Sequence, residues 1–294
     1  MKMRQIFLAL LLMVGIPCAF ASEWKTLDEL IAEDEAPTSS APAASAGTVA
    51  ATPGSFQDFV ARHNGAVALV VVAYPNGVRE PMGTAWGYKP GKFATNGHIS
   101  LPVEQLLRKG ARVQVQLNNS QRAIYNIEKA VTHPAYNAQI ASFDVGMLHV
   151  KQTDHPILPT ASKAALQGIS AGQEVALMGF PMEQLRGNNI NVNKPLASVQ
   201  IGNIVALSDY SLKDAGFDNN YAIRHSIPSA GGASGSPIFN KAGVVVGVHN
   251  AGNYWTSVEL VPDGKDKIKM VPKRRALASL INFGVRVDLL EDLL

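Results

Sequence analysis

From Phe56 onward the chain is a series of short apolar runs closed by turn residues, and it has no thiol there with which to staple them. Such a fold has to rest on core packing. Residues 66–74 are dense in valine and end at the turn Pro75-Asn76-Gly77. Residues 83–88, 93–96, 112–117, 123–127 and 145–150 continue the style. Residues 175–179, 197–207, 221–225 and 244–248 repeat it further on. Runs this short, divided by turn signals, predict an all-β barrel or sandwich. Residues 112–117 alternate cleanly, so one of their faces is wet. At 294 residues and 47% apolar, the chain can fill one large all-β domain or two small barrels.

Helical periodicity is scarce. Residues 56–63 predict one short helix, and 101–109 predict a second, capped by Ser100. Leu277, Leu280 and Ile281 stand at helical spacing, so 272–283 reads as a closing helix. The basic stretch 265–275 reads as the solvated entrance to it. Boundaries follow: a first barrel over 55–160, and a second barrel with the closing helix over 161–294.

The N-terminus has the organisation of a secretory signal. Lys2 and Arg4 precede the apolar run 6–16, and Ala19-Phe20-Ala21 is a small-residue cleavage site. The run is short for a membrane span, and Pro17 argues against lipid anchoring at Cys18. Cleavage after Ala21 removes the only cysteine, which excludes disulfides, a cysteine nucleophile and thiolate metal sites. The mature protein is expected in a periplasm or outside the cell, without a membrane anchor. Trp24, Leu27, Leu30 and Ile31 allow one amphipathic turn, but 22–54 as a whole reads as a low-complexity linker or pro-segment. A net charge of +3 does not argue for nucleic acid as a partner.

Chemistry concentrates at three places. Ser234 sits in Gly231-Gly232-Ala233-Ser234-Gly235-Ser236-Pro237, just before the apolar pair Ile238-Phe239. A hydroxyl attacks well only when a base takes its proton and donors receive the charge that develops on the attacked oxygen. The backbone N–H groups of Gly232 and Ser234 are the candidate donors, since glycine lets the backbone approach a substrate closely. As local structure alone the segment is a Gly/Ser-rich turn. A strand-to-helix nucleophile elbow would need glycine where Ser236 stands. His98, at the end of the apolar run Phe93-Ala94-Thr95-Asn96-Gly97, is the candidate base among seven histidines. Asp144, flanked by Phe143 and by Val145-Gly146-Met147-Leu148, is the candidate orienting acid, since a buried carboxylate there would hold the imidazole tautomer. The order His, Asp, Ser, at separations of 46 and 90 residues, is neither that of subtilisins nor that of α/β-hydrolases.

These residues and five further segments carry a resemblance. The segments are Gly83-Thr84-Ala85-Trp86-Gly87, Thr95-Asn96-Gly97-His98, His133-Pro134-Ala135-Tyr136-Asn137, Asp144-Val145-Gly146-Met147-Leu148 and Gly179-Phe180-Pro181. With the serine loop, they make residues 66–252 similar to the bacterial branch of the chymotrypsin-like serine peptidases. That branch holds the Htr-type proteases, here without a PDZ domain, and the glutamyl endopeptidases. The resemblance implies two six-stranded antiparallel β-barrels with the site in the cleft between them. It also implies acyl-enzyme chemistry on peptide or protein substrates, no cofactor and no metal. Two positions depart from the family. Ala233 replaces the usual Asp or Asn before the nucleophile, which removes a side chain that braces the oxyanion loop. Gly146 stands where many relatives have Ala, a change expected to be benign.

Ser236-Pro237-Ile238-Phe239 resembles the glutamyl enzymes more than the Htr proteases. In those enzymes a histidine on the strand that matches Val248-His249-Asn250, with a hydroxyl five places before the nucleophile, binds the substrate carboxylate. Ser229 and His249 occupy these places, with Val248 and Asn250 beside them. A hydroxyl and an imidazole N–H can together satisfy a carboxylate, which predicts a preference for Glu or Asp before the scissile bond. The competing reading of His249 is a packed residue that only lines the pocket. Against the exported serine endopeptidase stand two alternatives, a weakly active or inactive peptide-binding protein on the same fold and an esterase using the same three residues.

Overall fold

The computed structural model describes residues 54–119, 121–182, 191–251, 254–262, 268–276 and 281–294. The leader, Cys18 and nearly all of the 22–54 segment lie outside them. Fourteen strands are seen among the described residues. Those of the first barrel are β1 (Val67–Ala73), β2 (Arg79–Lys89), β3 (Lys92–Thr95), β4 (Arg112–Leu117), β5 (Ile124–Thr132) and β6 (Gly146–Val150). They close in the order β1-β2-β3-β6-β5-β4, every pair antiparallel. The second barrel closes in the order β10-β11-β14-β9-β8-β7. Its strands are β7 (Glu174–Gly179), β8 (Ser198–Ser208), β9 (Ala222–His225), β10 (Pro237–Asn240), β11 (Val245–Ala251) and β14 (Asn282–Arg286).

The pattern of β1 explains how the barrels adhere. Ala68 and Val70 point into the first barrel, with Phe93, Val113, Val115 and Leu148. Val67, Leu69 and Val71, on the opposite face, join a second cluster with Val175, Leu177, Ile238 and Phe239 of the other barrel. A strand buried on both faces reads as continuous valine, as this one does. In β4, Val113, Val115 and Leu117 face inward as the alternation predicted, but the opposite face is wet only in part: Gln114 is half-buried and Gln116 is buried, its amide donating to the Asn193 carbonyl at 3.3 Å.

Helix α1 (Phe56–His63) begins at Ser55, whose hydroxyl accepts the Asp58 N–H at 3.1 Å. It precedes the first barrel in sequence yet docks on the second, Phe59 stacking on Phe239 at 4.0 Å between centroids and Phe56 meeting it edge-on at 5.7 Å. The C-terminal end crosses the other way. The 3₁₀ helix Val287–Leu293 follows β14, and its Asp292 bonds His133 Nε2 at 3.2 Å, just past β5 of the first barrel.

Two helical expectations need correction. Helix α2 spans Gly97–Arg108, with Asn96 rather than Ser100 at its N-cap, so His98 stands in its first turn. The Ser100 hydroxyl instead bonds Thr132 at 2.7 Å. No helix forms over 272–283 among the described residues. Tyr254–Pro262 (β12) and Ile268–Ala276 (β13) pair as a separate two-stranded ribbon, and Asn282–Arg286 is the strand that closes the second barrel. The terminal helix is the 3₁₀ segment beyond it. Another short helix, α3 (Lys163–Gln167), capped by Ser162, leads into β7.

Candidate active site

The first half of the site is built where β3 runs into α2. Asn96 caps the helix in extended conformation and sends its side-chain amide to the Asp144 carbonyl at 2.9 Å. Two residues on, His98 meets the Asp144 carboxylate twice, its backbone N–H on Oδ1 and its Nδ1 on Oδ2, each at 2.8 Å. The Asp144 side chain is 3% exposed and that of His98 is 38% exposed. A carboxylate can only accept, so the imidazole proton is held on Nδ1 and Nε2 is left with its lone pair.

Asp144 is presented by a strained turn. Phe143 has φ +50°, a left-handed conformation that costs a bulky residue about 1–2 kcal/mol. The Val145 N–H closes back on the Phe143 carbonyl at 2.8 Å, with Asp144 at the apex. The Phe143 ring holds this geometry, stacked on His133 at 5.1 Å and tilted against Tyr210 at 5.1 Å and Tyr221 at 5.5 Å. Burial pushes the Tyr210 phenol up, so this neighbour of Asp144 stays neutral.

Gly146, one strand position past the turn, lies hard against α2. A Cβ there would stand 2.1 Å from Ser100 Oγ and 2.8 Å from the Asn96 carbonyl. Glycine in place of the relatives' alanine thus suits this site, and an alanine would need Ser100 and the Asn96 carbonyl to give way.

Ser234 comes from the loop between β9 and β10. The loop is pinned on both sides: Thr84 N–H of β2 donates to the Ser234 carbonyl, and Gly235 N–H donates to the His249 carbonyl of β11, each at 2.8 Å. Gly83 lies between this loop and α2, since a Cβ on it would be 2.5 Å from Ile99 Cδ1 and 3.2 Å from the Ser234 carbonyl. The Ser234 hydroxyl rests on the Asn250 carbonyl at 3.4 Å, a long bond. Gly232 adopts φ +90°, and a Cβ there would be 2.5 Å from the Phe180 carbonyl, so both conformation and space require glycine. Among the described residues no acceptor takes the Gly232 or Ser234 N–H.

The residues predicted to form a specificity pocket separate into two sets. Ser229 and His249 meet, Oγ to Nε2, at 2.6 Å. Val248 is wholly buried, main chain included, between β10 and β14, so it offers a bound peptide no surface. Asn250 is buried, and its carbonyl is the partner of Ser234. Behind His249 stands a residue that sequence reasoning missed, His225 of β9, with Nε2 at 3.1 Å from His249 Nδ1. The Ile227 N–H donates to His225 Nδ1 at 3.3 Å, which leaves the His225 proton on Nε2. His249 Nδ1 then accepts, and His249 Nε2–H donates to Ser229. Burial lowers His225 to about 4 and takes His249 well below the usual imidazole range, with His225 and His98 adding repulsion to the latter. The pair is neutral at pH 7.

Two closed six-stranded antiparallel barrels define the chymotrypsin-like fold, and solved structures share it. The HtrA-type protease AlgW with tripeptide aligns at a TM-score of 0.50 and 19% identity, over 81% of this chain and 62% of its own. A serine-to-alanine variant of AlgW with tripeptide aligns at 0.51 and 18%, with the same coverage. Rv3671c from M. tuberculosis, in an inactive form, aligns at 0.48 and 15%, over 82% of this chain and 92% of its own. This chain thus spans less than two thirds of the length of AlgW. At such identities the likeness is one of fold. A search of curated protein sequences gives no match. A family model, the trypsin-like peptidase domain, matches residues 83–248, which take in His98, Asp144 and Ser234. That match covers more than half of the chain, and the chain belongs to the trypsin-like peptidase family.

Proposed function

We propose that the protein is an exported serine endopeptidase in which Ser234 is the nucleophile, His98 the base and Asp144 its orienting acid. The observation that carries the reading is the double hold of Asp144 on His98, which leaves Nε2 free to take a proton. Attack requires the Ser234 hydroxyl to leave the Asn250 carbonyl and pass its proton to that nitrogen as Oγ bonds to the peptide carbonyl. The resulting oxyanion accepts from the Gly232 and Ser234 N–H groups. Collapse breaks the C–N bond, and His98 returns the proton to the departing amine. Water then repeats the cycle on the acyl-enzyme. Peptide or protein is the substrate, and the leader read from the sequence supports export.

The pocket reading is a preference for Glu or Asp before the scissile bond. His249 Nε2–H donates to Ser229 Oγ, and this frees the Ser229 hydroxyl proton for a substrate carboxylate. Recognition would then rest on aligned dipoles rather than on a fixed positive charge. A peptide-library digest is expected to show cleavage after acidic residues, and cleavage mainly after aliphatic or basic ones would overturn this.

Ala233 and the Ser234–Asn250 contact favour a second reading, a peptide-binding protein of little activity. Covalent labelling by a fluorophosphonate separates the two. Labelling that is lost in Ser234→Ala supports the peptidase, and folded protein that takes no label supports the binding protein.

A further inference from the structure

The nucleophile loop holds its shape without a polar side chain before the serine. Ala233 contributes a buried methyl group, and its N–H turns back to the Ala230 carbonyl at 3.2 Å. The bracing comes from the opposite barrel. Thr84, on β2 and wholly buried, uses every polar atom it has. Its N–H donates to the Ser234 carbonyl and its hydroxyl to the Gly232 carbonyl, both at 2.8 Å. The same hydroxyl accepts the Phe180 N–H at 3.0 Å, and the Thr84 carbonyl accepts the Thr95 hydroxyl at 2.7 Å. The directions are forced, because an N–H only donates and a carbonyl only accepts.

The two tied carbonyls flank Ala233. The Gly232 carbonyl belongs to the peptide plane shared with Ala233, and Thr84 fixes that plane. The preceding plane, which carries the Gly232 N–H, is fixed at its other end by the Met182 N–H on the Gly231 carbonyl. Gly232 is thus clamped between two oriented planes at a φ that no other residue adopts easily. Through Thr95 the same threonine reaches the strand that delivers His98.

We infer that Thr84 is the positioning residue of the oxyanion hole, taking over across the barrel interface the bracing that Ala233 cannot supply. It touches no substrate; it fixes the peptide planes on either side of the one that carries the Ser234 N–H, itself held by the Ser236 N–H on the Ala233 carbonyl at 3.0 Å, and so aims the two N–H groups through their neighbours. The inference deepens the peptidase reading and rests on it.

Thr84→Val keeps volume and β-branching but replaces the hydroxyl with a methyl, while Thr84→Ser keeps the hydroxyl. Rates are measured per titrated active site on a peptide that the wild type cleaves. Deleting one oxyanion donor outright costs about 10²–10³ in kcat, so misaiming it is expected to cost about 10- to 100-fold. Thr84→Val should lose that much kcat with KM within about threefold, and should acylate with a fluorophosphonate correspondingly slowly. Thr84→Ser should keep kcat within about threefold of wild type. A folded Thr84→Val with wild-type kcat and only a lower Tm overturns the inference, as does Thr84→Ser impaired as badly as Thr84→Val. Should Thr84→Val not fold, Thr84→Cys, with its weaker donor, is expected to fall between wild type and the loss predicted for valine, and wild-type kcat there overturns it too. A folded wild type that neither cleaves nor labels fails at the peptidase reading, a result distinct from any of these.

Discussion

Gly146 shows how a single hydrogen atom can be a fitted part of a site. It faces Ser100 across the joint between β6 and α2, and a methyl group has no room there. Gly146→Ala is expected to destabilise the fold by about 1–3 kcal/mol, the usual cost of overpacking. Pairing it with Ser100→Gly should recover much of that loss, and urea unfolding of the four proteins in the cycle measures the coupling. Additive effects would show that the two residues do not compete for the same space. The sequence displayed the three residues of the proposed triad because each has its own local signature: a glycine-rich turn, an apolar run ending in histidine, and an acid among hydrophobes. It could not display Ser100 as the neighbour of Gly146, or Thr84 as a brace, because those relations exist only after distant strands meet. His225 was hidden for the same reason, 24 residues from the histidine it supports.

Among elements, legibility followed burial. Strands whose two faces are both covered, such as β1 and β7, spell themselves out in consecutive apolar residues, and they were predicted within a residue or two. Strand β14 was not, because Ile281 before it completes a helical spacing with Leu277 and Leu280, which outweighed the short polar–apolar alternation of Asn282, Phe283, Gly284, Val285 and Arg286. Its strand character comes from neighbours, His249 pairing with Gly284 on one side and Ile223 with Gly284 on the other. The β12–β13 ribbon was missed as well, its basic stretch taken for a helix entrance. Helix α1 was foreseen but its docking place was not. Phe59 is 1% exposed and stacked on the second barrel, so Phe59→Ala is expected to cost about 3–5 kcal/mol. Urea unfolding should shift as one cooperative transition; a change below about 1 kcal/mol would mean that α1 merely decorates the surface.

For the molecule as a whole, buried histidines set the acid limit. Burial lowers His225, His249, His155, His149 and His63 below the usual imidazole value. An unfolded chain takes these protons near pH 6.5, whereas folded His225 waits until about 4, so protonation favours unfolding. The contribution of His225 is fully present above pH 6.5 and is lost as the pH falls towards 4, and the other four act in the same direction. His225 alone should remove about 2 kcal/mol between pH 8 and pH 5. Urea midpoints at the two pH values check this, and equal midpoints would refute it.

The crossed docking of the chain ends has a consequence for how the protein is made. Phe56 and Phe59 find their partner in Phe239, which leaves the ribosome some 180 residues later, and His133 waits 159 residues for Asp292. A growing chain can assemble the strands of its first barrel early, but the α1 seam stays open until Phe239 arrives and the His133 seam until Asp292 does. In a chain made in that order, the seam between Asp292 and His133 can close only after β14 has completed the second barrel.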